Sequence, residues 1–358
     1  MGGKAARRVL DLPGRLPTLL KRGLRSSVDQ AARMTGILAR RERGMARELT
    51  VLMYHRVLPE ERCAAYPFPS LVMPLGGFRE QVRWLAAQGE VLPLCEALAL
   101  RGAPARRPVF ALTFDDGYDD AGAIVADVLE DAGIRGTFFV TTGFVGTSEL
   151  QWFDRAALLF AAVSEPVRRG VVQQVCGDRW EDERPPAGAD GAAWARHLKG
   201  CRAGERAAIL SSLELATGGP PATDGYRSLS VAQVVELHRR GHEIGSHTVS
   251  HAMLPELDDA ALQSELVNSR DAISNWIGAR VLGFCYPNGD HDERTVAAVA
   301  RAGHAYACTT RDGVHPPGGD PFRIPRVGVT AQRVMDGRRQ LDLTAFRREL
   351  CGLYRPRV

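Results

Sequence analysis

The chain has no long apolar run, and this absence already excludes one class of protein. No segment of about 18 consecutive apolar residues occurs in the sequence, which therefore predicts no membrane-spanning helix. The N-terminal segment also lacks the apolar core and the small-residue cleavage site of a secretory signal peptide, because Lys or Arg interrupts it every few residues. On this basis we expect a cytoplasmic protein.

Cysteine is scarce and irregularly spaced. The seven cysteines are an odd number and include no Cys-x-x-Cys pair, a pattern that suits a reducing compartment. Cys285 and Cys308 lie in apolar, strand-like runs, where cysteine behaves as a small buried hydrophobic residue. The cysteines thus agree with the expected location.

Acidic residues are nearly absent from the first 47 positions. Twelve Lys or Arg side chains stand there against three acidic ones, a net charge of +9, so the rest of the chain carries −5 of the total +4. We predict a basic tail over residues 1–47 that either contacts an anionic surface of the inner membrane peripherally or is a solvated leader. Nucleic-acid binding is not expected, because no aromatic residues interleave with the basic ones and the remaining chain is acidic.

Strand-like and helix-like patterns alternate along the rest of the chain, which predicts a parallel α/β sheet. The length fits one such domain better than two, so we place it at residues 48–345, followed by a C-terminal tail over residues 346–358. About 80 residues in its middle are not needed by the sheet, and we predict a largely helical insertion over about residues 150–228. This insertion either covers the functional site, with Trp152 and Phe153 stacking on a sugar, or these aromatic residues only pack it onto the domain.

Two short polar strings follow apolar runs that are predicted to be buried strands. Residues 113–117 read Thr-Phe-Asp-Asp-Gly, and residues 246–251 read Ser-His-Thr-Val-Ser-His. Because the carboxyl ends of parallel strands collect the chemistry of such folds, we expect the two strings to lie together. One Asp with His247 and His251 offers three ligands to a divalent cation and leaves a position open, as in catalytic metal sites. The second Asp stays free beside that site.

These strings resemble the first and second motifs of the polysaccharide deacetylase family (NodB-homology domain, carbohydrate esterase 4). Two further strings match a branch of that family: Leu-Met-Tyr-His-Arg-Val at residues 52–57, and Phe-Cys-Tyr-Pro-Asn-Gly at residues 284–289 in the place of the third motif. The resemblance covers about residues 48–330. It implies an α/β fold, the family's distorted (β/α) barrel of seven strands, interrupted here by the insertion.

The resemblance also implies roles for individual residues. Asp116, His247 and His251 correspond to the metal ligands, and Asp115 corresponds to the general base that takes a proton from water. The backbone N–H of Asn288 corresponds to the donor that stabilises the oxyanion. Two histidines and one aspartate suit Zn²⁺, our first expectation, and also Co²⁺, Ni²⁺, Fe²⁺ or Mn²⁺.

The sequence departs from the family pattern in the third motif. Cys285 stands where the family usually has an Arg that orients the catalytic Asp, and cysteine cannot replace that fork of donors. Arg326 is our candidate substitute, since it resembles a Pro-Arg near the domain end in the branch that lacks the third-motif Arg. The alternative is that Arg326 only braces the rim of the barrel.

The family's last motif, a Leu-x-His that presents the catalytic acid, has no match, because no histidine follows His315. The acid must therefore come from elsewhere. His55, at the end of the first strand, is predicted as the general acid or as a partner of Asp115, with a structural hydrogen-bonding role as the alternative. His291 is a second, weaker candidate for the acid.

These observations predict a metal-dependent hydrolase that removes acetyl groups from N-acetylated sugars of a surface or extracellular polysaccharide or its precursor, as in exopolysaccharide biosynthesis. The expected partner is an acetylated oligo- or polysaccharide. Two alternatives stay open at this point: an O-deacetylase acting on a glycan, and a glycan-binding relative that has lost turnover. The sequence does not name the polymer or its linkage.

Overall fold

The structure is a computed structural model that describes residues 37–45, 48–100, 107–177 and 185–352. The predicted basic tail lies outside the described residues except for residues 37–45, so its contact with a membrane stays a prediction. No helix in the described part of the chain is both long enough and apolar enough to cross a membrane. The strands are β1 (Leu49–Tyr54), β2 (Arg56–Leu58), β3 (Val72–Pro74), β4 (Glu90–Val91), β5 (Val109–Phe114), β6 (Thr137–Val140), β7 (Glu243–Ser246), β8 (Gly283–Cys285), β9 (Tyr306–Asp312) and β10 (Ile324–Gly328).

Helices follow most of the strands and cover the outside of the sheet. Apolar side chains at helical spacing set their inner faces, as in the long helix Asp259–Ile277, where Leu262, Leu266 and Ile273 are buried. The helices are α1 (Ile37–Gly44), α2 (Glu60–Cys63), α3 (Leu75–Gln88), α4 (Leu94–Ala99), α5 (Ala126–Asp131), α6 (Trp152–Ala162), α7 (Glu165–Cys176), α8 (Gly191–His197), α9 (Ala203–Thr217), α10 (Val231–Arg239), α11 (Asp259–Ile277), α12 (Glu293–Arg301), α13 (Ala331–Val334) and α14 (Leu343–Leu350).

Seven parallel strands close into a barrel, in the order β1, β10, β9, β8, β7, β6, β5 and back to β1. The closing pair is the most regular one, because β1 and β5 stay in register over six residues, from Leu49 opposite Val109 to Tyr54 opposite Phe114. Strand β5 is buried along its whole length, as its unbroken apolar sequence predicts. The short β4 adds to the start of β5. The predicted distorted barrel of seven strands is therefore confirmed.

The barrel is distorted on the side of β10. Strand β1 pairs with β10 only at Leu52 and Met53, and the register of β10 on β9 shifts between Ile324 and Arg326. A register shift of this kind re-aims the side chains next to it. Arg326 stands at this shift, and its side chain is fully buried.

The insertion has its own hydrophobic core beside the barrel. Helices α6 to α9 form it, with the Phe160 and Trp194 rings stacked at a centroid distance of 5.2 Å and Leu198 and Leu213 fully buried near them. The insertion stands between β6 and β7 in the chain, so it emerges from the end of the barrel at which parallel strands β5 and β7 also finish. It is therefore attached at the end that carries the polar strings.

Both predicted domain boundaries need correction. Helix α1 lies inside the segment predicted as a tail, and its Glu42 accepts two hydrogen bonds from Arg347, at 2.6 and 2.8 Å. Helix α14 overlaps the predicted C-terminal tail, yet Phe346 and Leu350 are buried in the main core. The two helices are thus part of the folded domain, which extends beyond residues 48–345 at both ends.

Candidate active site

The predicted site residues converge at one end of the barrel, where several strands finish. Asp115 and Asp116 follow β5, His55 follows β1, and His247 follows β7, so parallel pairing brings these four residues together. The Asp115 backbone N–H donates to the Tyr54 carbonyl at 3.0 Å, which extends the pairing of β1 and β5 into the site. The expected meeting of the two polar strings is observed.

Three candidate ligands surround one point. Oδ1 of Asp116 lies 3.3 Å from Nε2 of His247 and 3.4 Å from Nε2 of His251, and all three residues are buried. Two donor atoms bound to one tetrahedral zinc at about 2.0–2.1 Å would lie roughly 3.3 Å apart, so these separations suit a small divalent cation. The structure therefore brings together the predicted ligand set of Asp116, His247 and His251.

The hydrogen bonding around these ligands also fits a cation. Oδ1 of Asp116 is buried, and among the described residues it has no hydrogen-bond partner, since its two imidazole contacts lack hydrogen-bond geometry. Nδ1 of His247 lies 2.7 Å from the Cys285 carbonyl, to which it donates when protonated. That bond directs Nε2 toward Asp116, as the outer partner of a metal-bound histidine does. The donor set present is thus one that a divalent metal ion would satisfy.

The electrostatics of the three residues call for positive charge. Burial alone would raise the pKa of Asp116, but the contacts with the two imidazoles hold it well below its usual range. Burial lowers the pKa of His251. The pKa of His247 is raised despite its burial, because Cys285 and Asp116 lie next to its imidazole. Without a metal ion, a proton on His247 would supply the positive charge that balances the Asp116 carboxylate. A bound divalent ion would supply that charge instead.

Unusual backbone conformation holds the site in this shape. Five non-glycine residues in the described part of the chain have positive φ, and four of them lie here. Such conformations cost free energy and persist only where packing fixes them. At Gly117, with φ of +75°, a Cβ atom would lie 3.2 Å from the Val140 side chain, so both the conformation and the close approach favour glycine. The four residues are Asp116, Thr248, His251 and Asn288.

Arg326 holds Asp115 through a buried bidentate ion pair. Nη1 and Nη2 of Arg326 donate to the two carboxylate oxygens of Asp115, each at 2.7 Å. Nη1 also donates to the Thr113 hydroxyl at 3.0 Å, and Nε donates to the Thr309 carbonyl at 2.9 Å. Burial would raise the pKa of Asp115, but the guanidinium outweighs it and keeps the pKa below its usual value. The arginine thus stands where the predicted substitute for the third-motif Arg is needed.

Cys285 fills the third-motif position next to this pair as a neutral thiol. Its Sγ lies 3.1 Å from Nη2 of Arg326 and 3.6 Å from Oδ2 of Asp115. Burial raises the pKa of the Cys285 thiol to about 11, so it stays protonated at neutral pH and does not compete with Asp115 for the guanidinium. Asp115, His247 and Cys285 also lie close enough to share a metal ion, but the ion pair with Arg326 and the neutral thiol disfavour that set.

His55 lies at the edge of the site. Its Nε2 is 4.0 Å from Oδ2 of Asp115, and the side chain keeps 18% of its surface exposed. This distance is too long for a direct hydrogen bond, so His55 is near Asp115 without being held by it. His291, the weaker candidate, is directed elsewhere: its Nδ1 lies 2.7 Å from the Gly289 carbonyl and its ring stacks on Tyr286.

Asn288 follows β8 in a short turn, Pro287–Gly289, and adopts φ of 56°. Its carbonyl accepts from the Thr310 hydroxyl at 2.8 Å. Its side-chain Oδ1 accepts from Nζ of Lys199 at 2.5 Å, a contact that joins the insertion to the barrel. Asn288 is therefore held on both sides, in the position where the sequence predicts the oxyanion donor.

The insertion contacts a proposed metal ligand directly, which favours the second of the two alternatives for its aromatic residues. Phe153 is buried and packs its ring edge against His251 at a centroid distance of 5.2 Å, so it is not available to stack on a sugar. Trp152 is partly buried between Phe153 and the Arg206 guanidinium. These aromatic residues pack the insertion onto the site.

Three residues near the site were not predicted. Nε2 of Gln151 donates to the Asp116 carbonyl at 3.0 Å, Asp154 is buried beneath the insertion, and Lys199 contacts Asn288. All three stand in or next to the insertion, away from the strand ends that identify the other site residues. Only Asp154 could have been found from the sequence, because it is a polar residue inside a largely apolar helix.

A model of the family described as polysaccharide deacetylase matches residues 102–173 and 217–307. The matched region contains both polar strings and the third-motif turn, and the unmatched residues between the two parts fall in the insertion. The chain belongs to the polysaccharide deacetylase family. Membership agrees with the predicted resemblance and places the aspartate and histidine cluster at the centre of a deacetylase domain.

Individual relatives are distant. A curated protein of Bacillus subtilis (strain 168), YxkH, which is provisionally named a polysaccharide deacetylase, is 28% identical over 102 residues. Those residues are 28% of this chain and span only 37% of that relative's length.

Solved structures of deacetylases share the fold of this family member. The Streptococcus pyogenes deacetylase PplD, solved in complex with acetate, has 17% identity and a TM-score of 0.51, covering 78% of this chain and 91% of its own. The polysaccharide deacetylase BC0361 of Bacillus cereus has 16% identity and a TM-score of 0.51, covering 78% of this chain and 64% of its own. At these identities the likeness establishes the barrel fold alone.

Proposed function

We propose that this protein is a metal-dependent deacetylase that removes acetyl groups from N-acetylated sugars of a surface or extracellular polysaccharide or its precursor. The observation that carries the proposal is the buried cluster of Asp116, His247 and His251 beside an Asp115 carboxylate held by Arg326. The cluster offers three ligands for a divalent ion, zinc being the first expectation, and the second carboxylate is free of the ligand set. A deacetylase requires both features.

The chemistry divides between the metal and the residues around it. A bound divalent ion would lower the pKa of a water molecule and polarise the acetyl carbonyl. Asp115 is the general base that accepts a proton from the attacking water, and Arg326 both fixes its two oxygens and keeps it ionised. The Asn288 backbone N–H is the proposed donor to the oxyanion.

The departing amine needs a proton, and His55 is the proposed acid. Its partial exposure allows it to exchange protons with solvent, and its Nε2 lies 4.0 Å from Oδ2 of Asp115, so that both groups can approach the same substrate from one side. Asp115 as base and His55 as acid give a complete set of roles for amide hydrolysis. The intact ligand cluster argues against a binding protein that has lost turnover.

Acetate release from N-acetylglucosamine oligomers tests the proposal. The purified protein should release acetate, a chelator should abolish release, and added Zn²⁺, Co²⁺ or Ni²⁺ should restore it. Asp115→Asn should keep its metal and lose turnover by about 10²–10⁴-fold, because it removes the base and leaves the ligands in place. Asp119→Asn removes a nearby carboxylate on the same loop and serves as the matched control.

Two results would overturn the proposal. Release of acetate only from O-acetylated glycans, with none from the amide, would make the protein an O-deacetylase. Bound metal without release from either class would make it a glycan-binding protein. An active Asp115→Asn variant would remove Asp115 from the role of base.

A further inference from the structure

Lys199 brings a positive charge from the insertion to the active site. It lies in the turn Leu198–Gly200 between α8 and α9, and it is far in sequence from every motif of the family. Its Nζ donates to Oδ1 of Asn288, the residue whose backbone N–H is the proposed oxyanion donor. The Lys199 side chain is exposed, and its ammonium reaches across to the barrel.

The turn that carries Lys199 is held in place by its neighbours. Leu198 is fully buried in the core of the insertion, and Cys201 on the other side is buried as well. The Cys201 carbonyl accepts a hydrogen bond from Nη1 of Arg206. The packing on both sides therefore fixes the backbone of the turn, from which the Lys199 side chain extends to Asn288.

Among the described residues, Lys199 and Asn288 have N–H groups that form no hydrogen bond within the protein. An ammonium group has three N–H donors, and the contact with Asn288 occupies one of them. Since the lysine faces Oδ1, the other end of the amide is Nδ2, which is buried and has no hydrogen-bond partner among the described residues. Two adjacent groups thus offer N–H donors at one place, which is the chemistry that recognises a carboxylate or a developing oxyanion.

The charges around the ammonium are consistent with this position. Desolvation lowers the pKa of Lys199, with Arg196 acting in the same direction, while Asp290 and Asp116 act against them. Lys199 is also near enough to His251 to contribute to the lowering of the pKa of that imidazole. The Lys199 charge thus acts on two of the three proposed metal ligands, Asp116 and His251.

We propose that the Lys199 ammonium contacts the acyl oxygen of the substrate and, after hydrolysis, the carboxylate of the acetate product. This inference rests on the proposed deacetylase function and adds a catalytic residue to it. Lys199 and Asn288 together form the acyl-oxygen side of the site, and the insertion is a part of the active site rather than a cover over it. The ligand class is an acetyl carbonyl or a small carboxylate.

Lys199→Met tests the proposal, because it removes the charge and keeps most of the length. We expect kcat for acetate release from N-acetylglucosamine oligomers to fall about 10²–10³-fold, the range found when one oxyanion donor is removed. Lys199→Arg should retain part of the activity, since it keeps the charge. Arg196→Met, which removes an exposed cation three residues before Lys199, should match the wild type.

Acetate binding gives a second readout that needs no turnover. The Zn²⁺-loaded protein should bind acetate in calorimetric titration, and Lys199→Met should bind it at least about 10-fold more weakly. Metal content and melting temperature should be the same in both proteins, which separates this role from a structural one.

The two measurements keep the inference distinct from the proposed function. If the wild type releases acetate and Lys199→Met releases it equally fast, the inference is wrong and the function stands. If the wild type releases none, the function is wrong as stated. Acetate binding then still decides on Lys199, because equal affinity of the wild type and Lys199→Met would overturn its role and weaker binding by the variant would support it.

Discussion

Arg326 forms several hydrogen bonds at the site, and no single sequence motif indicates all of them. Its fully buried guanidinium binds both oxygens of Asp115, the Thr113 hydroxyl and the Thr309 carbonyl. The family resemblance implies an arginine at the third-motif position, where this chain has Cys285 at the end of β8. In this chain a guanidinium reaches Asp115 from β10 instead.

Replacing Arg326 by Met should damage both stability and turnover. The change leaves the Asp115 carboxylate buried without its partner, and breaking a buried ion pair in this way costs about 3–5 kcal/mol of the free energy of unfolding. Arg326→Lys should not restore activity, because one ammonium cannot replace the bidentate contact. Urea unfolding and acetate release measure the two effects.

Arg333→Met is the matched control for this change. Arg333 is partly exposed, and its contacts with Asp312 and Glu349 are longer, at 3.7 and 3.5 Å. Its loss should change the free energy of unfolding by about 1 kcal/mol or less. An Arg326→Met protein as stable and as active as this control would contradict the importance of the pair.

The residues that the sequence predicted and those it missed differ in one physical respect. Asp116, His247 and His251 each follow a buried strand, and parallel pairing alone brings such positions together. Lys199 reaches the site only because helices α8 and α9 pack on α6 and α7, and no local pattern encodes that packing. The convergence of Asp116, His247 and His251 was therefore predictable from the sequence, and the contribution of the insertion was not.

A buried polar network attaches the insertion to the barrel. Asp154 in α6 accepts hydrogen bonds from the Tyr66 and Tyr118 hydroxyls, at 2.9 and 2.6 Å. The Arg56 guanidinium lies over both tyrosine rings and pairs with Asp120 at 2.8 Å. The network thus joins helix α6 of the insertion to three other segments of the chain, which carry Arg56, Tyr66, and Tyr118 with Asp120.

The pH dependence of stability should report on Asp154. Burial raises its pKa to about 7, even though the hydrogen bonds from both tyrosines lower it. Between about pH 4 and 7 the folded protein therefore holds a proton that the unfolded chain releases, so this contribution to stability is present at low pH and is lost as the pH rises through 7.

Comparison of the wild type with Asp154→Asn isolates this effect. At pH 5 the wild type should be more stable by about 1–3 kcal/mol, since the asparagine leaves part of the network unsatisfied. The difference should shrink between pH 5 and pH 8 in urea unfolding. Asp127→Asn, at an exposed position, should show no such trend. A difference between the wild type and Asp154→Asn that stays constant over this range would exclude the titration of Asp154.

Some elements were not predictable from local patterns. Strand β10 reads Ile-Pro-Arg-Val-Gly, and its proline and buried arginine hide the alternation of a strand. Helix α7 buries only Val172 completely, so its apolar pattern is weak. By contrast, the periodic run over residues 259–277 forms a helix, and the apolar runs over residues 49–54 and 109–114 form strands with the same bounds, because long periodic or fully apolar runs carry the strongest signal.

The proposed metal ligands lie on both sides of the insertion in the chain. Asp116 follows β5, and His247 and His251 follow β7, so one ion would connect two segments separated by β6 and all four helices of the insertion. A ligand that binds only the folded state stabilises it by mass action, by about 2.7 kcal/mol at a concentration 100 times its dissociation constant. The stability of the whole domain should therefore depend on the metal.

Removing the metal should lower the melting temperature by several degrees, and adding Zn²⁺ should restore it. For a domain of this size, each 1 kcal/mol corresponds to a shift of about 2–4 °C. His247→Ala should bind less metal and should lose this dependence on chelator and Zn²⁺, because it removes one of the three ligands that converge on a single point. His238→Ala, on the partly exposed helix α10, should behave as the wild type. If His247→Ala bound metal with unchanged stoichiometry and kept the same shift, the ion would have to lie elsewhere, and the roles assigned to Asp116 and His251 would fall with that of His247.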